Sequence, residues 1–145
     1  MQVNDTHPFG APARWQTALA MHGETFSCLS AGSRIGLVPE AAVGGSAVTG
    51  SAMLVWQATG DGVTVATEPF SGFEKSDVDI LIAVDETALA SLREALGGDV
   101  VASLRREIRD GHVLFFARKQ RRVLEESGYE DLLDQLGFAF MGVCR

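Results

Sequence analysis

Within the 145 residues of this chain, Asp77 and Asp79, in Ser76-Asp77-Val78-Asp79-Ile80, are the side chains whose type and spacing best suit chemistry. Residues two apart on a strand project to the same face, so this pair could hold one Mg²⁺ through carboxylate oxygens. The bland alternative is that both acids are solvated at the mouth of a strand, because short motifs match by chance. His7, His22 and His112 share no metal-like spacing, and no acid is obviously placed to orient any of them. Cys28 and Cys144 lack both C-x-x-C spacing and paired histidines, which argues against a zinc site or a disulfide framework. A Cys28–His nucleophile is weighed against a cysteine that packs as a small hydrophobe on a strand's core face. No catalytic triad emerges, and no cofactor is expected apart from Mg under the aspartate reading.

The Ser76–Ile80 stretch resembles the S-D-x-D strand of the minimal nucleotidyltransferase family. That resemblance implies that Asp77 and Asp79 bind the metal ions that position a nucleoside triphosphate. It covers only these few residues. The family places a Gly-Ser pair shortly before the aspartates and a third carboxylate on a later strand. Here Gly32-Ser33 lies far too early, Ser71-Gly72 has the order reversed, and no later predicted strand carries an acid. The glycine-rich run Gly44-Gly45-Ser46-Ala47-Val48-Thr49-Gly50 matches neither phosphate-binding pattern, G-x-x-x-x-G-K-[ST] or G-x-G-x-x-G, and reads as turns.

Charge is distributed unevenly. The chain carries −7 with a pI near 4.8, which argues against a dedicated binder of nucleic acid or anionic membrane. Between Arg105 and Arg122, however, seven basic residues face two acids, a local +5 that leaves −12 elsewhere. Arg118, Lys119, Arg121 and Arg122 are therefore candidates for docking an acidic partner. The alternative is intramolecular pairing, since Arg121 and Glu125, like Arg122 and Glu126, are spaced four apart along a helix. Phe70 and Phe73, beside Trp56 and the turn formers Pro69 and Gly72, would make a sticky loop if exposed and a lid on the core if not.

The elements that must position these groups follow from pattern. A helix starts near Pro12 and puts Trp15, Ala18, Leu19 and His22 on one face, with Gly23 ending it. Alternation over 24–31 predicts a strand through Phe26 and Cys28, and Ile35–Val38 a short one. Met53–Ala58 and Val63–Thr67, flanking Thr59-Gly60-Asp61-Gly62, form a β-hairpin. Asp77–Asp85 predicts a strand buried on both sides. Asp85 caps a helix running to Leu96, and Asp99 caps a second carrying Val100, Val101, Leu104 and Ile108. His112–Ala117 is strand or helix, Ser127-Gly128 interrupts a last helical stretch, and Phe138–Cys144 reads as a terminal strand.

Strands first and helices later define an α+β protein: a mixed or mainly antiparallel sheet with a central β-hairpin, helices of the C-terminal half packed on one face. One domain over 1–145 is expected, since an apolar content of 46% against 21% charged suits one globular core. With no basic region followed by an apolar run and no apolar stretch of about 20 residues, cytoplasm is the expected compartment and no membrane is expected. Without a convincing site, the leading reading is a non-enzymatic protein-interaction or regulatory module of chaperone, immunity or accessory type. Its expected partner is another protein or a second copy, not nucleic acid. The alternatives are a nucleotidyltransferase-like enzyme using Asp77 and Asp79, and a small-molecule sensor whose cavity is lined by Trp56, Ile82 and Phe116.

Overall fold

The computed structural model describes residues 9–40, 52–60, 62–70 and 77–137. In chain order they form α1 (Pro12–Ala20), α2 (Gly23–Phe26), β1 (Arg34–Pro39), β2 (Ala52–Ala58), β3 (Val63–Pro69) and β4 (Ile80–Val84). Then come α3 (Glu86–Glu94) with a 3₁₀ turn (Ala95–Gly97), α4 (Val100–Arg109), β5 (Val113–Ala117), α5 (Arg121–Glu126) and α6 (Tyr129–Leu136). The protein is α+β, and the described residues contribute five strands to one sheet in the order β3-β2-β1-β4-β5. β1 and β4 run parallel and every other neighbouring pair is antiparallel, so the sheet is mixed.

Local chemistry explains most boundaries. Pro12 opens α1, where its missing N–H costs nothing, and Trp15, Ala18 and Leu19 form the buried stripe. Thr59 N–H donates to Gly62 O at 3.0 Å to close the β2–β3 hairpin, with Gly60 at φ +100° in a conformation that glycine tolerates best. Asp85 and Asp99 accept from the N–H groups of Ala88 and Ala102 at 2.9 and 3.0 Å, which caps α3 and α4 as their sequences predict.

Strand alternation divides the apolar side chains between two layers. Ile35, Leu37, Leu54, Trp56, Ile80, Ile82 and Val84 point to the helices and form one buried cluster with residues of α1 to α6. Val38, Met53, Val55, Leu81 and Ala83 point the other way, joined by Phe70, Val78 and Phe116; every described member of this second cluster comes from the strands or their flanks. All described helices that join an apolar cluster thus lie on one face, as expected.

Three expectations need correction. Residues 24–31 are not a strand: Thr25, Ser27 and Leu29 N–H groups donate to the carbonyls three residues earlier, which winds 22–29 into helical turns and drives Phe26 into the core. The strand expected over Asp77–Asp85 begins only at Ile80, so both aspartates precede it. Trp56 and Ile82 face the helices while Phe116 faces away, so the three do not line one cavity. The open choice at 112–117 settles as strand, over Val113–Ala117. The expected terminal strand at 138–144 and Phe73 lie outside the described residues, and among those described no helix is long and apolar enough to cross a membrane.

Candidate ligand site at the Trp56 cluster

Trp56, on the central part of β2, is 1% exposed and sits in a nest of aromatic rings. Trp15 of α1 lies 5.8 Å away, centroid to centroid, at 40°, and Phe26 of α2 meets Trp56 edge-on at 5.7 Å and 84°. Phe9 closes on Trp15 at 6.0 Å and 77°. Edge-to-face and tilted pairs match the positive ring edge to the negative face. The two indoles differ in one respect. Trp15 Nε1–H donates to Phe9 O at 2.8 Å, whereas Trp56 Nε1–H is fully buried and has no hydrogen-bond partner among the described residues. Leaving such a donor unmade costs about 1–3 kcal/mol, so buried groups of this kind are rare.

The cover over Trp56 on this side is α2, four residues long. Its outer side borders a groove of about 590 Å³ lined by Met21, His22, Thr25, Ser27 and Gly60 among others. His22 Nε2, at the start of this turn, stands 3.3 Å from Asp99 Oδ1. At its far end, Ser30 N–H donates to Ser127 O at 2.9 Å. Gly128, at φ +91°, brings its Cα directly against the Cys28 carbonyl, where no Cβ would fit.

The residues singled out from the sequence are placed as follows. Asp79 is partly buried and its carboxylate is occupied: Oδ2 accepts from Arg34 N–H at 3.1 Å and from the Tyr129 hydroxyl at 2.8 Å. The Tyr129 hydroxyl also lies 3.1 Å from Arg34 O, and Arg118 N–H donates to Asp79 O at 2.8 Å, so this acid ties β1, β4, β5 and α6 together. Burial, followed by the neighbouring Asp79 charge, raises the Tyr129 pKa far above the ordinary tyrosine value. Asp77 is exposed and gives its backbone carbonyl to Arg34 Nε at 2.7 Å. Arg34 reaches across the sheet to Gln57 Oε1 at 2.9 Å and Glu68 at 2.6 Å. Among the described residues no group of three His, Cys, Asp or Glu side chains is arranged to hold a metal ion. The third carboxylate required by the nucleotidyltransferase reading is therefore missing there, and that reading is not carried forward.

Arg118, Lys119, Arg121 and Arg122 run from the end of β5 into α5, and Arg121 Nε donates to Glu125 Oε2 at 3.1 Å, one of the two pairs expected from spacing. Phe70 is buried in the second apolar layer and offers no sticky surface. Reading the sequence alone missed a second pair. His112 Nδ1 lies 2.7 Å from Asp85 Oδ2, while Asp85 Oδ1 caps α3. The hydrogen bond to Asp85 raises the His112 pKa above 6.5; the Ala88 N–H, followed in smaller measure by His112, lowers that of Asp85 below 3.8. Both side chains are partly exposed, and beside them a groove of about 590 Å³ runs along Pro39, Glu40, Val84, Thr87 and Leu89.

No protein-family model matches the chain, and no curated protein sequence does. Two solved structures are similar in outline. One is the ubiquinone synthesis protein UbiJ-SCP2, 17% identical, covering 86% of this chain and 89% of its own, with a TM-score of 0.43. The other is a conserved hypothetical protein of Thermus thermophilus, named as a candidate sterol carrier protein. It is 11% identical and covers 94% of this chain and 85% of its own, with a TM-score of 0.47. Likeness of this degree assigns no ligand to this chain.

Proposed function

We propose that this protein is a non-catalytic carrier domain that holds an apolar small molecule between the sheet and the helical layer, at the Trp56 cluster. The observation that carries the reading is the Trp56 indole N–H, enclosed in aromatic rings with no acceptor among the described residues. A ligand oxygen at that point recovers the cost of the unmade bond, while the rings of Trp15, Phe26 and Trp56 supply apolar walls. A four-residue helical turn has little stability of its own, so α2 is the part of the cover that yields most readily. The interaction-module reading has less support: among the described residues, the exposed large apolar side chains are Met21, Leu114 and Val123, on three separate segments.

Titration with the neutral fluorophore prodan, read by energy transfer from tryptophan and by thermal unfolding, tests the proposal. Saturable binding with a rising Tm is the expected result, since a ligand at a hundredfold excess over its Kd stabilises the folded state by about 2.7 kcal/mol. Native mass spectrometry of protein purified without detergent should show an apolar molecule carried along. Failure of all three measurements to detect binding would remove the reading.

A further inference from the structure

Resting on the carrier reading, we infer that the ligand is a neutral apolar molecule bearing a hydrogen-bond acceptor oxygen, an ester or ketone in class, and that it enters by displacing α2. The chemistry of the walls decides this. An indole nitrogen donates and does not accept, so only an acceptor satisfies Trp56 Nε1–H. Around it the cluster is made of apolar side chains such as Phe9, Trp15, Leu19, Phe26 and Leu54. The buried polar or charged residues among those described are Ser33, Ser103 and Glu107, none of them a cation. A carboxylate or phosphate headgroup placed there would be desolvated with no counter-charge, which is far costlier than burying a neutral carbonyl that gains a hydrogen bond. A pure hydrocarbon would fit the walls and leave the donor orphaned.

The route follows from where the cover is thin. Phe26 is the α2 residue packed on Trp56, and the same turn borders the outer groove. Its two ends are held differently: the Cys28 carbonyl packs directly on Gly128 with no room for a Cβ, whereas the His22–Asp99 contact is a single approach at 3.3 Å between side chains. Swinging the turn about its Cys28 end opens the aromatic cluster to the groove without disturbing the sheet.

The chain's two tryptophans make the test direct, because isotope-edited NMR shows one indole proton for each, and Trp15, already bonded to Phe9 O, serves as an internal reference. The intact protein is titrated separately with methyl decanoate, decane and decanoate at neutral pH. Methyl decanoate should move the Trp56 indole proton downfield, leave that of Trp15 nearly in place, shift the amides of residues 23–27, and bind about five- to tenfold tighter than decane. Decanoate should bind weakest. Trp56→Phe keeps an aromatic ring and removes the donor, so it should bring the ester and the hydrocarbon to equal affinity. Binding of the ester with an unmoved Trp56 proton, or preferential binding of decanoate, overturns the assigned ligand class while leaving a carrier. Static 23–27 amides during binding overturn the route. If none of the three compounds binds, the carrier reading itself fails.

Discussion

Replacing Gln16 by alanine should both destabilise the protein and make it associate. Among the described strands β3 lies at the edge of the sheet, so half of its backbone groups face away from β2. The Gln16 carboxamide, on α1, meets two of them: Nε2–H donates to Val63 O at 2.7 Å and Oε1 accepts from Val65 N–H at 2.9 Å. The amide thereby presents the same donor and acceptor that a neighbouring strand would offer, and Pro69, at the strand's end, has no N–H to extend the ladder. Covered or interrupted edges of this kind keep sheets from pairing with other chains. Two net hydrogen bonds at about 1 kcal/mol each put the loss for Gln16→Ala near 2 kcal/mol. For a chain of this length that corresponds to a fall in Tm of about 5–10 °C. Urea unfolding should show a lower midpoint at an unchanged slope, and sedimentation velocity should show concentration-dependent dimers. Gln16→Met keeps the volume without the amide and should behave like alanine; Gln16→Glu keeps the acceptor for Val65 N–H but sets a carboxylate against Val63 O, and should recover little. If the alanine and methionine variants melt with the parent and sediment as the parent does, the carboxamide does not serve as a strand substitute and the reasoning is refuted.

Three further outcomes can be measured by the same methods. Gly128→Ala should cost more than about 4 kcal/mol, since a Cβ would overlap the Cys28 carbonyl as well as strain a φ of +91°. Gly137→Ala, at φ +100° but with its nearest neighbours, two side-chain atoms, 3.8 and 3.9 Å away, should cost only about 1–2 kcal/mol, and equal losses would show that the contact with Cys28 is unimportant. Tyr129→Phe removes a donor to a charged Asp79 oxygen and should lower stability by about 1.5–3 kcal/mol in urea unfolding; an unchanged midpoint would mean that water replaces the hydroxyl freely. For the His112–Asp85 pair, the raised histidine pKa means its contribution is complete below 6.5 and fades as pH climbs through the raised value. The lowered Asp85 pKa means its contribution is complete above 3.8 and is lost as pH falls through the lowered value. The stabilising difference between the parent and His112→Asn should therefore be greatest between pH 3.8 and 6.5, and a pH-independent difference in Tm would contradict the pairing.

Features set by neighbours in sequence were legible, and features set by pairing between segments were not. The hairpin could be read because its turn residues and two β-rich runs are contiguous, and the Asp85 and Asp99 caps because a helix start is a local event. His112 finds Asp85 only because β4 and β5 are antiparallel with Val84 opposite Val113, which places the residue after one beside the residue before the other. Asp77 and Asp79 looked like a same-face pair only while the strand was taken to include them. The true boundary at Ile80 frees Asp79 from the alternation, and Arg34 and Tyr129, 45 and 50 residues distant, claim its carboxylate. Strand parity also separates Phe116 from Trp56: Phe116 stands opposite Leu81, whose side chain faces away from that of Ile82. A strand over 24–31 failed because alternation across so few residues does not distinguish a strand from a turn that buries one aromatic. The orphaned donor lies furthest from what pattern can reveal. Trp15 and Trp56 are the same residue type, and each is fully enclosed; among the described residues a carbonyl reaches one indole N–H and no acceptor reaches the other. A donor defined by a missing acceptor leaves no motif, because what marks it is a contact that distant segments of the described chain do not make.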